Sequence, residues 1–299
     1  MSRARLLAWA LAPALLAALV AAQGALASLD ASFVQAHRGG AIATVKGKQK
    51  PVYGEETMTA FKAAAEKGYV LELDVKISAD GVPMVIHDAT LDRTTSCDGQ
   101  VAARTAAGIV RGCPVDLLGT GDVTKRLGPK SKRLDKVPTL ARFLRFADRG
   151  GAEINLEIKN VPTDPDFDSG STYATTVAQA IRASGFPPKR LIVQSFWPAN
   201  LDVIQADPYF DRAETALLTL HDLNNAGGPA AASTAGYDWV SPEWPIDRAY
   251  VEEAHGLGLR VVPYTINTRA DVAAATRFGV DAVITDDPGM ARRAAAGAG

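Results

Sequence analysis

The sequence predicts a (β/α)8 TIM barrel with a small inserted loop region after the second strand. Short runs rich in Val, Ile and Leu alternate with Ala-rich amphipathic stretches from residue 34 to residue 296. This alternation is typical of parallel α/β folds, and the strand runs are predominantly apolar, as strands buried on both faces are. The chain has 299 residues, which is enough for one barrel of about 250 residues.

The individual elements follow from this alternation. Strands are predicted at 34–37, 70–75, 154–159, 191–195, 216–220, 239–242, 261–265 and 282–285. Helices are predicted at 58–67, 140–148, 173–183, 198–206, 247–255, 269–278 and 288–296, with a less regular helix at 224–235. The alternative with the same alternation is an open, doubly wound sheet. No G-x-G-x-x-G follows the first strand, which argues against its dinucleotide-binding form.

A ninth apolar run at 84–87 does not fit a count of eight. It follows Asp80-Gly81, a dipeptide that favours a tight hairpin turn. We therefore predict that this run pairs antiparallel with the second strand and brings His87 back beside it.

The beginning of the chain differs from the rest. Arg3 and Arg5 precede an apolar run at 6–20, and small residues follow it up to Ala27. This order is typical of a secretory signal peptide. An uncleaved anchor helix is the alternative, although the run is short for a membrane span and Pro13 interrupts it. We expect a signal peptide at 1–27, a barrel domain at 28–299, a secreted or periplasmic location and no stable membrane span after signal removal.

Between residues 89 and 137 the alternation stops, and we predict an irregular insertion beside the active site. Long excursions from compact barrels are usually functional. The insertion contains both cysteines of the chain, Cys97 and Cys113. In the oxidising compartment that export implies, an even pair is expected to form a disulfide.

The charges are balanced. The chain has 32 basic and 33 acidic side chains and a formal net charge of −1. Because no basic stripe appears, the sequence does not favour a nucleic-acid partner. A small-molecule substrate is expected instead, and the oligomeric state stays open.

Polar side chains stand where predicted strands end, and the loops at those ends form the active sites of barrels. His37 and Arg38 follow the first strand; histidine exchanges a proton near neutral pH and arginine binds phosphate. Glu72 and Asp74 lie two residues apart on the second strand, so both face the same side. Two adjacent buried anions need a cation or protons to compensate them.

The third strand repeats this spacing with Glu157 and Lys159. Glu157 would complete a set of three carboxylates, which suits a hard cation such as Ca²⁺ or Mg²⁺. Lys159 would neutralise a substrate phosphate, and an internal Glu–Lys pair is the alternative. His87 would reach the same pocket through the hairpin, with a structural histidine as the alternative.

The order of these residues resembles the glycerophosphodiester phosphodiesterase family, whose opening motifs are H-R-G, P-E-N-T, E-x-D-V, D-G, H-D and L-x-R-T-T. Further similarity extends to Asp287-Pro288 and covers nearly the whole chain after the signal peptide. Gly54, Glu56 and Tyr264 depart from the family pattern, which has proline, asparagine and often tryptophan there. The matching segments are His37-Arg38-Gly39, Glu55-Glu56-Thr57, Glu72-Leu73-Asp74-Val75, Asp80-Gly81, His87-Asp88 and Leu91-Asp92-Arg93-Thr94-Thr95.

The resemblance implies metal-dependent hydrolysis of glycerophosphodiesters to a glycerol phosphate and an alcohol. Its implied site has Glu72, Asp74 and Glu157 on the metal, His37 and His87 as the acid/base pair, and Arg38, Glu55 and Lys159 on the substrate side. We favour His87 as the acid, because Asp88 and the hairpin could orient its ring. The attacking group is water or a neighbouring substrate hydroxyl, which would give a cyclic phosphate.

Two other functions remain alternatives at this point. The first is a related barrel phospholipase that acts on lysophospholipids or sphingomyelin-like lipids, which would call for an apolar rim or groove at the site. The second is an exported binding protein without activity, which would be expected to have lost the acid/base positions. His37 and His87 are both present.

Overall fold

The structure is a computed structural model that describes residues 33–221 and 228–298. The predicted signal peptide at 1–27 and the start of the predicted helix at 224–235 lie outside the described residues. No helix in the described ranges is long and apolar enough to cross a membrane.

The strands and helices of the described ranges follow the predicted alternation, with additional short strands. The strands are β1 (Val34–Ala36), β2 (Ile42–Val45), β3 (Lys48–Pro51), β4 (Val70–Ile77), β5 (Pro83–Val85), β6 (Pro114–Val115), β7 (Leu117–Thr120), β8 (Val123–Arg126), β9 (Asp135–Lys136), β10 (Ile154–Ile158), β11 (Leu191–Ser195), β12 (Glu214–Thr219), β13 (Trp239–Pro242), β14 (Arg260–Val261) and β15 (Val283–Thr285). The helices are α1 (Met58–Ala65), α2 (Ala106–Gly112), α3 (Leu140–Gly150), α4 (Thr172–Ser184), α5 (Pro198–Gln205), α6 (Gly228–Thr234), α7 (Arg248–Gly256), α8 (Arg269–Phe278) and α9 (Pro288–Ala296).

Eight strands pair in the order β14-β13-β12-β11-β10-β4-β1-β15, and every pair along this path is parallel. Backbone hydrogen bonds join the two ends of the path, from Asp281 N to Val261 O at 3.0 Å and from Ile284 N to Pro263 O at 3.0 Å. The sheet therefore curls into a ring, and the predicted (β/α)8 fold is confirmed.

Strand β4 shows how the sequence divides between the two sides of the barrel. Leu71, Leu73 and Val75 are fully buried and belong to the apolar core between strands and helices. Glu72 and Asp74 alternate with them and face the barrel interior, because successive side chains of a strand point to opposite sides. The alternation of side chains along β4 therefore places apolar residues in the core and two carboxylates at the mouth of the barrel.

The ninth apolar run is confirmed as an antiparallel neighbour of the second barrel strand. Strand β5 pairs with β4 through Val85 opposite Val75 and Pro83 opposite Ile77. The predicted strand at 261–265 is shorter than expected, since β14 ends at Val261. Pro263 has no N–H to donate, so the regular ladder stops before it.

The region 89–137 is more ordered than the sequence analysis predicts. It contains helix α2 and the antiparallel pairs β6–β9 and β7–β8. Its buried side chains, among them Leu91, Val101 and Ile109, form a second small core. These strands are two to four residues long, too short to show a period. The predicted Cys97–Cys113 disulfide is present.

Candidate active site

The structure brings the predicted site residues together around the carboxyl ends of β1, β4 and β10, with His87 returning beside β4 and Glu55 reaching Arg38 from the segment before α1. His37 and Arg38 directly follow β1 in a tight turn that continues through Gly39 and Gly40. A Cβ atom on Gly39 would lie 2.8 Å from the Ala60 Cβ, and its φ is +86°. Only glycine fits this close approach of the turn to α1, and the turn aims His37 and Arg38 at the barrel mouth.

Three carboxylates form the centre of the site. Glu72, Asp74 and Glu157 each offer an oxygen, and these oxygens all lie within 4.8 Å of one another. The register between β10 and β4 explains this, because Glu157 is the direct partner of Asp74. All three side chains are buried.

The electrostatics of this cluster are unfavourable without a compensating cation. Burial and the neighbouring Asp74 raise the pKa of Glu72 to about 7. Burial opposes ionisation of Asp74 as well, but Lys159, His87 and Arg38 hold its pKa well below the usual range. Asp74 Oδ2 is buried and accepts no hydrogen bond, although Arg38 Nε lies 3.4 Å away. Buried oxygens of this kind are costly unless a hydrogen bond or a cation satisfies them.

Two basic side chains border the carboxylates. The Arg38 backbone N–H donates to Glu72 Oε2 at 2.8 Å, and Arg38 Nη1 donates to Glu55 Oε1 at 3.1 Å. Lys159 Nζ lies 3.0 Å from Glu157 and 3.4 Å from Asp74 Oδ1. The internal Glu157–Lys159 pair, which was the alternative to a phosphate contact, is therefore present, and it stands inside the cluster.

Both histidines have their Nδ1 atom bound to an aspartate, which leaves Nε2 as the available ring nitrogen. His37 Nδ1 lies 2.6 Å from Asp286 Oδ1, and His87 Nδ1 lies 2.5 Å from Asp88 Oδ1. Burial and Arg38 lower the pKa of His87 to about 4. Burial and Arg38 act in the same sense on His37, but Asp286 outweighs them and raises its pKa.

The aspartates differ in their other partners. Asp88 Oδ2 also accepts from Arg93 Nε at 2.6 Å, so a full positive charge neutralises it. Asp286 Oδ2 accepts from the neutral amide of Asn267 at 2.6 Å. Glu72 adds to Asp286 in raising the pKa of His37, whereas Lys159 adds to burial and Arg38 in lowering that of His87, so the two histidine pKa values shift in opposite directions.

Asp286 and Arg93 are site residues to which the sequence analysis assigned no role. Arg93 donates to both oxygens of Glu55, at 2.8 and 2.6 Å. The sequence did hold a signal for Asp286, because it directly follows the last strand, and the last and first strands are neighbours in a closed barrel.

Glu56, which departs from the family pattern, is buried beside the carboxylates. Its φ of 58° lies in the left-handed region, which asparagine tolerates better than glutamate. Glu56 Oε1 accepts a hydrogen bond from the Asp74 backbone N–H at 2.9 Å, and burial together with Asp74 and Glu72 raises its pKa well above the usual range. This environment favours the neutral acid at Glu56.

Two cavities meet at His37, Arg38 and His87. The inner cavity, of about 160 Å³, reaches the carboxylates. The outer cavity, of about 670 Å³, lies between the barrel mouth and the insertion. The inner cavity is lined further by Glu72, Glu157, Lys159, Gln194, Phe196, Leu218, Leu220, Tyr264, Thr265 and Ile284.

The chain is similar to known proteins along most of its length. The model of the glycerophosphoryl diester phosphodiesterase family matches residues 37–290. The glycerophosphodiester phosphodiesterase of Caldanaerobacter subterraneus is 29% identical over 260 residues, which cover 86% of this chain and 95% of that protein. The glycerophosphodiester phosphodiesterase of Bacillus subtilis is 28% identical, with 90% of this chain and 88% of that protein covered.

Solved structures show the same fold. The putative glycerophosphoryl diester phosphodiesterase of Silicibacter pomeroyi has a TM-score of 0.70 at 26% identity, with 88% of this chain and 92% of that chain covered. A phosphodiesterase of Oleispira antarctica, solved in complex with the product sn-glycerol-3-phosphate, has a TM-score of 0.67 at 21% identity, with 87% of this chain and 95% of that chain covered.

Proposed function

Because the chain belongs to the glycerophosphoryl diester phosphodiesterase family, we propose that it hydrolyses glycerophosphodiesters to a glycerol phosphate and an alcohol with the help of a divalent cation. The family makes it a phosphoric diester hydrolase. The observation that carries the metal-dependent form of the proposal is the buried cluster of Glu72, Asp74 and Glu157, whose oxygens lie within 4.8 Å of one another.

The residues present fit a hard divalent cation. All three candidate ligands offer carboxylate oxygens, the donors that Ca²⁺ and Mg²⁺ prefer. A bound cation would also satisfy Asp74 Oδ2, which is buried and accepts no hydrogen bond. When bound, the cation supplies Lewis-acid polarisation of the phosphate and offsets its negative charge.

We assign the phosphate contacts to Arg38 and Lys159. Arg38 lines both cavities at their junction, and its guanidinium is held by Glu55. Glu55 is in turn held by two hydrogen bonds from Arg93. In this proposal Glu55 positions the arginine fork, while Lys159 adds positive charge from the end of β10.

The partners of the histidines support a division of labour opposite to the one the sequence favours. Asp286 stabilises a positive charge on His37, so we assign His37 as the acid that protonates the leaving oxygen. His87 has a pKa lowered to about 4, so it is neutral at neutral pH and ready to accept a proton from the attacking group. Orientation by Asp88, which suggested His87 as the acid, serves a base equally well.

We also propose that the protein acts in an oxidising compartment, either secreted or periplasmic. The support is the Cys97–Cys113 disulfide together with the signal-like start of the sequence, since disulfides persist where thiols are not kept reduced.

The test of the proposed function is release of glycerol phosphate from glycerophosphocholine by the purified chain. We expect turnover that is lost after exhaustive chelation and restored by Ca²⁺ or Mg²⁺. Glu72→Gln should lose more activity than the roughly 10–100-fold that changes to outer-sphere partners cost, and should also lose the upward shift in Tm that the cation gives the wild type.

The matched control is Glu252→Gln on the exposed face of α7, which should behave as the wild type. Full activity after chelation would eliminate the metal, and absence of turnover with either cation would contradict the proposed reaction.

A further inference from the structure

The two cavities at the site indicate where each alcohol group of a phosphodiester would bind, an inference that rests on the proposed function. The cavities share His37, Arg38, His87 and Thr265, so a phosphate held by Arg38 sits at their junction. A phosphodiester has an alcohol group on each side of its phosphorus. One group therefore points into the inner cavity and the other into the outer cavity.

The sizes of the cavities distinguish the two groups. The inner cavity, about 160 Å³, is bounded by barrel strands and suits the glycerol that every substrate of this class shares. The outer cavity, about 670 Å³, suits the variable alcohol. Its lining is therefore what discriminates between substrates.

One wall of the outer cavity is the β7–β8 hairpin of the insertion. The hairpin is anchored at both ends, since Gly119 N donates to Tyr53 O at 2.7 Å and Arg126 Nη2 donates to Arg93 O at 2.8 Å. Arg126 is also ion-paired with Asp116. The wall is thus joined to the same Arg93 that holds Glu55 and Asp88.

The hairpin presents hydrogen-bonding groups to the cavity. Thr120, Thr124 and Arg126 line it from this side, and hydroxyls can both donate and accept. Among the described residues that line the outer cavity, none is Phe, Tyr or Trp, and Leu117 is the one large aliphatic side chain. Recognition of quaternary ammonium groups relies on aromatic rings, and an acyl chain requires an apolar lining.

Negative charge does not take the place of Phe, Tyr or Trp rings in the outer cavity. Asp88 and Asp286 also line the cavity, but Asp88 is bound by Arg93 and Asp286 by His37. Among the described residues that line the outer cavity, both carboxylates are therefore already paired.

We propose that the β7–β8 hairpin binds the alcohol half of the substrate and selects a polyhydroxylated alcohol over choline or an acylated group. The hydroxyls of a polyol match the threonine hydroxyls of the wall, and Thr124 is the exposed one of the two threonines.

The test compares kcat/KM for glycerophosphoglycerol and glycerophosphoinositol with kcat/KM for glycerophosphocholine and a lysophosphatidylcholine. We expect the polyol diesters to be preferred by about tenfold, the effect of one or two well-placed hydrogen bonds. Thr124→Val keeps the shape of the side chain and removes its hydroxyl, so it should reduce the preference several-fold, while Thr124→Ser should retain it.

Thr175→Val, on helix α4 outside the barrel, is the matched control and should change no ratio. Equal or better turnover of glycerophosphocholine would overturn the inference, and so would a Thr124→Val variant with the wild-type preference. Absence of turnover on every diester would overturn the proposed function as well, so the two failures are distinct.

Discussion

At the scale of single residues, the two histidines of the site are distinguished by what surrounds their aspartates. Asp88 is shared between His87 and Arg93, at 2.5 and 2.6 Å. Asp286 is shared between His37 and a neutral amide. Burial, Arg38 and Lys159 lower the pKa of His87 to about 4, whereas Asp286 and Glu72 raise that of His37 despite burial and Arg38.

This difference predicts how each histidine variant responds to the leaving group. His37→Ala and His87→Ala should both reduce hydrolysis of glycerophosphocholine, by about 10²–10⁴-fold for an acid or base. On a nitrophenyl phosphodiester, whose leaving group needs no proton at neutral pH, only His37→Ala should recover substantially. Steady-state kinetics on the two substrates measures this.

The control for this pair is His255→Ala. His255 lies on α7 and pairs with Asp281 away from the site, so neither substrate should be affected. If His87→Ala instead recovered activity on the nitrophenyl substrate, the acid and base assignments would be reversed. Equal losses for both variants on both substrates would show that the two histidines do not have separate acid and base roles.

At the scale of elements, the insertion is a small folded unit rather than a connecting loop. Its apolar side chains form a core of their own, in which Cys113 is fully buried. The disulfide to Cys97 closes the chain around helix α2. Because β7 and β8 form a wall of the outer cavity, the proposed binding of the alcohol half depends on the order of this unit.

We therefore expect removal of the disulfide to act locally. The double variant Cys97→Ala/Cys113→Ala should lose about 3 kcal/mol of stability in the chain-entropy account, seen as earlier thermal unfolding and as faster proteolysis within 97–113. A reductant should produce the same change in the wild type and none in the double variant. Two free thiols, found by mass spectrometry in protein from an oxidising compartment, would contradict the bond.

At the scale of the whole molecule, one ionic network joins three separate parts of the chain. Glu55, before α1, binds Arg38 from the end of β1 and Arg93 from the insertion. Burial would raise the pKa of Glu55, but Arg38 and the hydrogen bonds from Arg93 outweigh it and lower the pKa to about 2 from its ordinary value of 4.5.

The sign of this shift predicts sensitivity to acid. A carboxyl with a depressed pKa in the folded state stabilises the protein above pH 4.5, and this contribution is lost as the pH falls through about 2. The lost stability is about 3 kcal/mol at 1.36 kcal/mol per unit of pKa. Urea unfolding between pH 5 and pH 2 should show a steep loss for the wild type and a shallower one for Glu55→Gln.

Glu55→Gln should also start from a lower stability at pH 5, since Arg38 and Arg93 lose their anion. Glu252→Gln, on an exposed helix face, should keep the wild-type slope. An equal slope for Glu55→Gln and the wild type would show that another group governs the acid response.

The sequence by itself determined the barrel and the centre of its site. Local apolar periodicity predicts the alternation of strand and helix. The i, i+2 spacing of Glu72 with Asp74, and likewise of Glu157 with Lys159, places these side chains on one side of their strands, the interior side. The hairpin that returns His87 was equally visible, because a turn and two short apolar runs are neighbours in the chain.

Only the tertiary structure decided which partners these residues have. His37 and Asp286 are separated by 249 positions and meet because the first and last strands pair when the ring closes. Arg93 reaches Glu55 across 38 positions, and the insertion folds through strands of two to four residues that carry no period. Local patterns encode which side of a strand a residue faces, but the pairing of His37 with Asp286 and of Arg93 with Glu55 depends on how separate segments pack against one another.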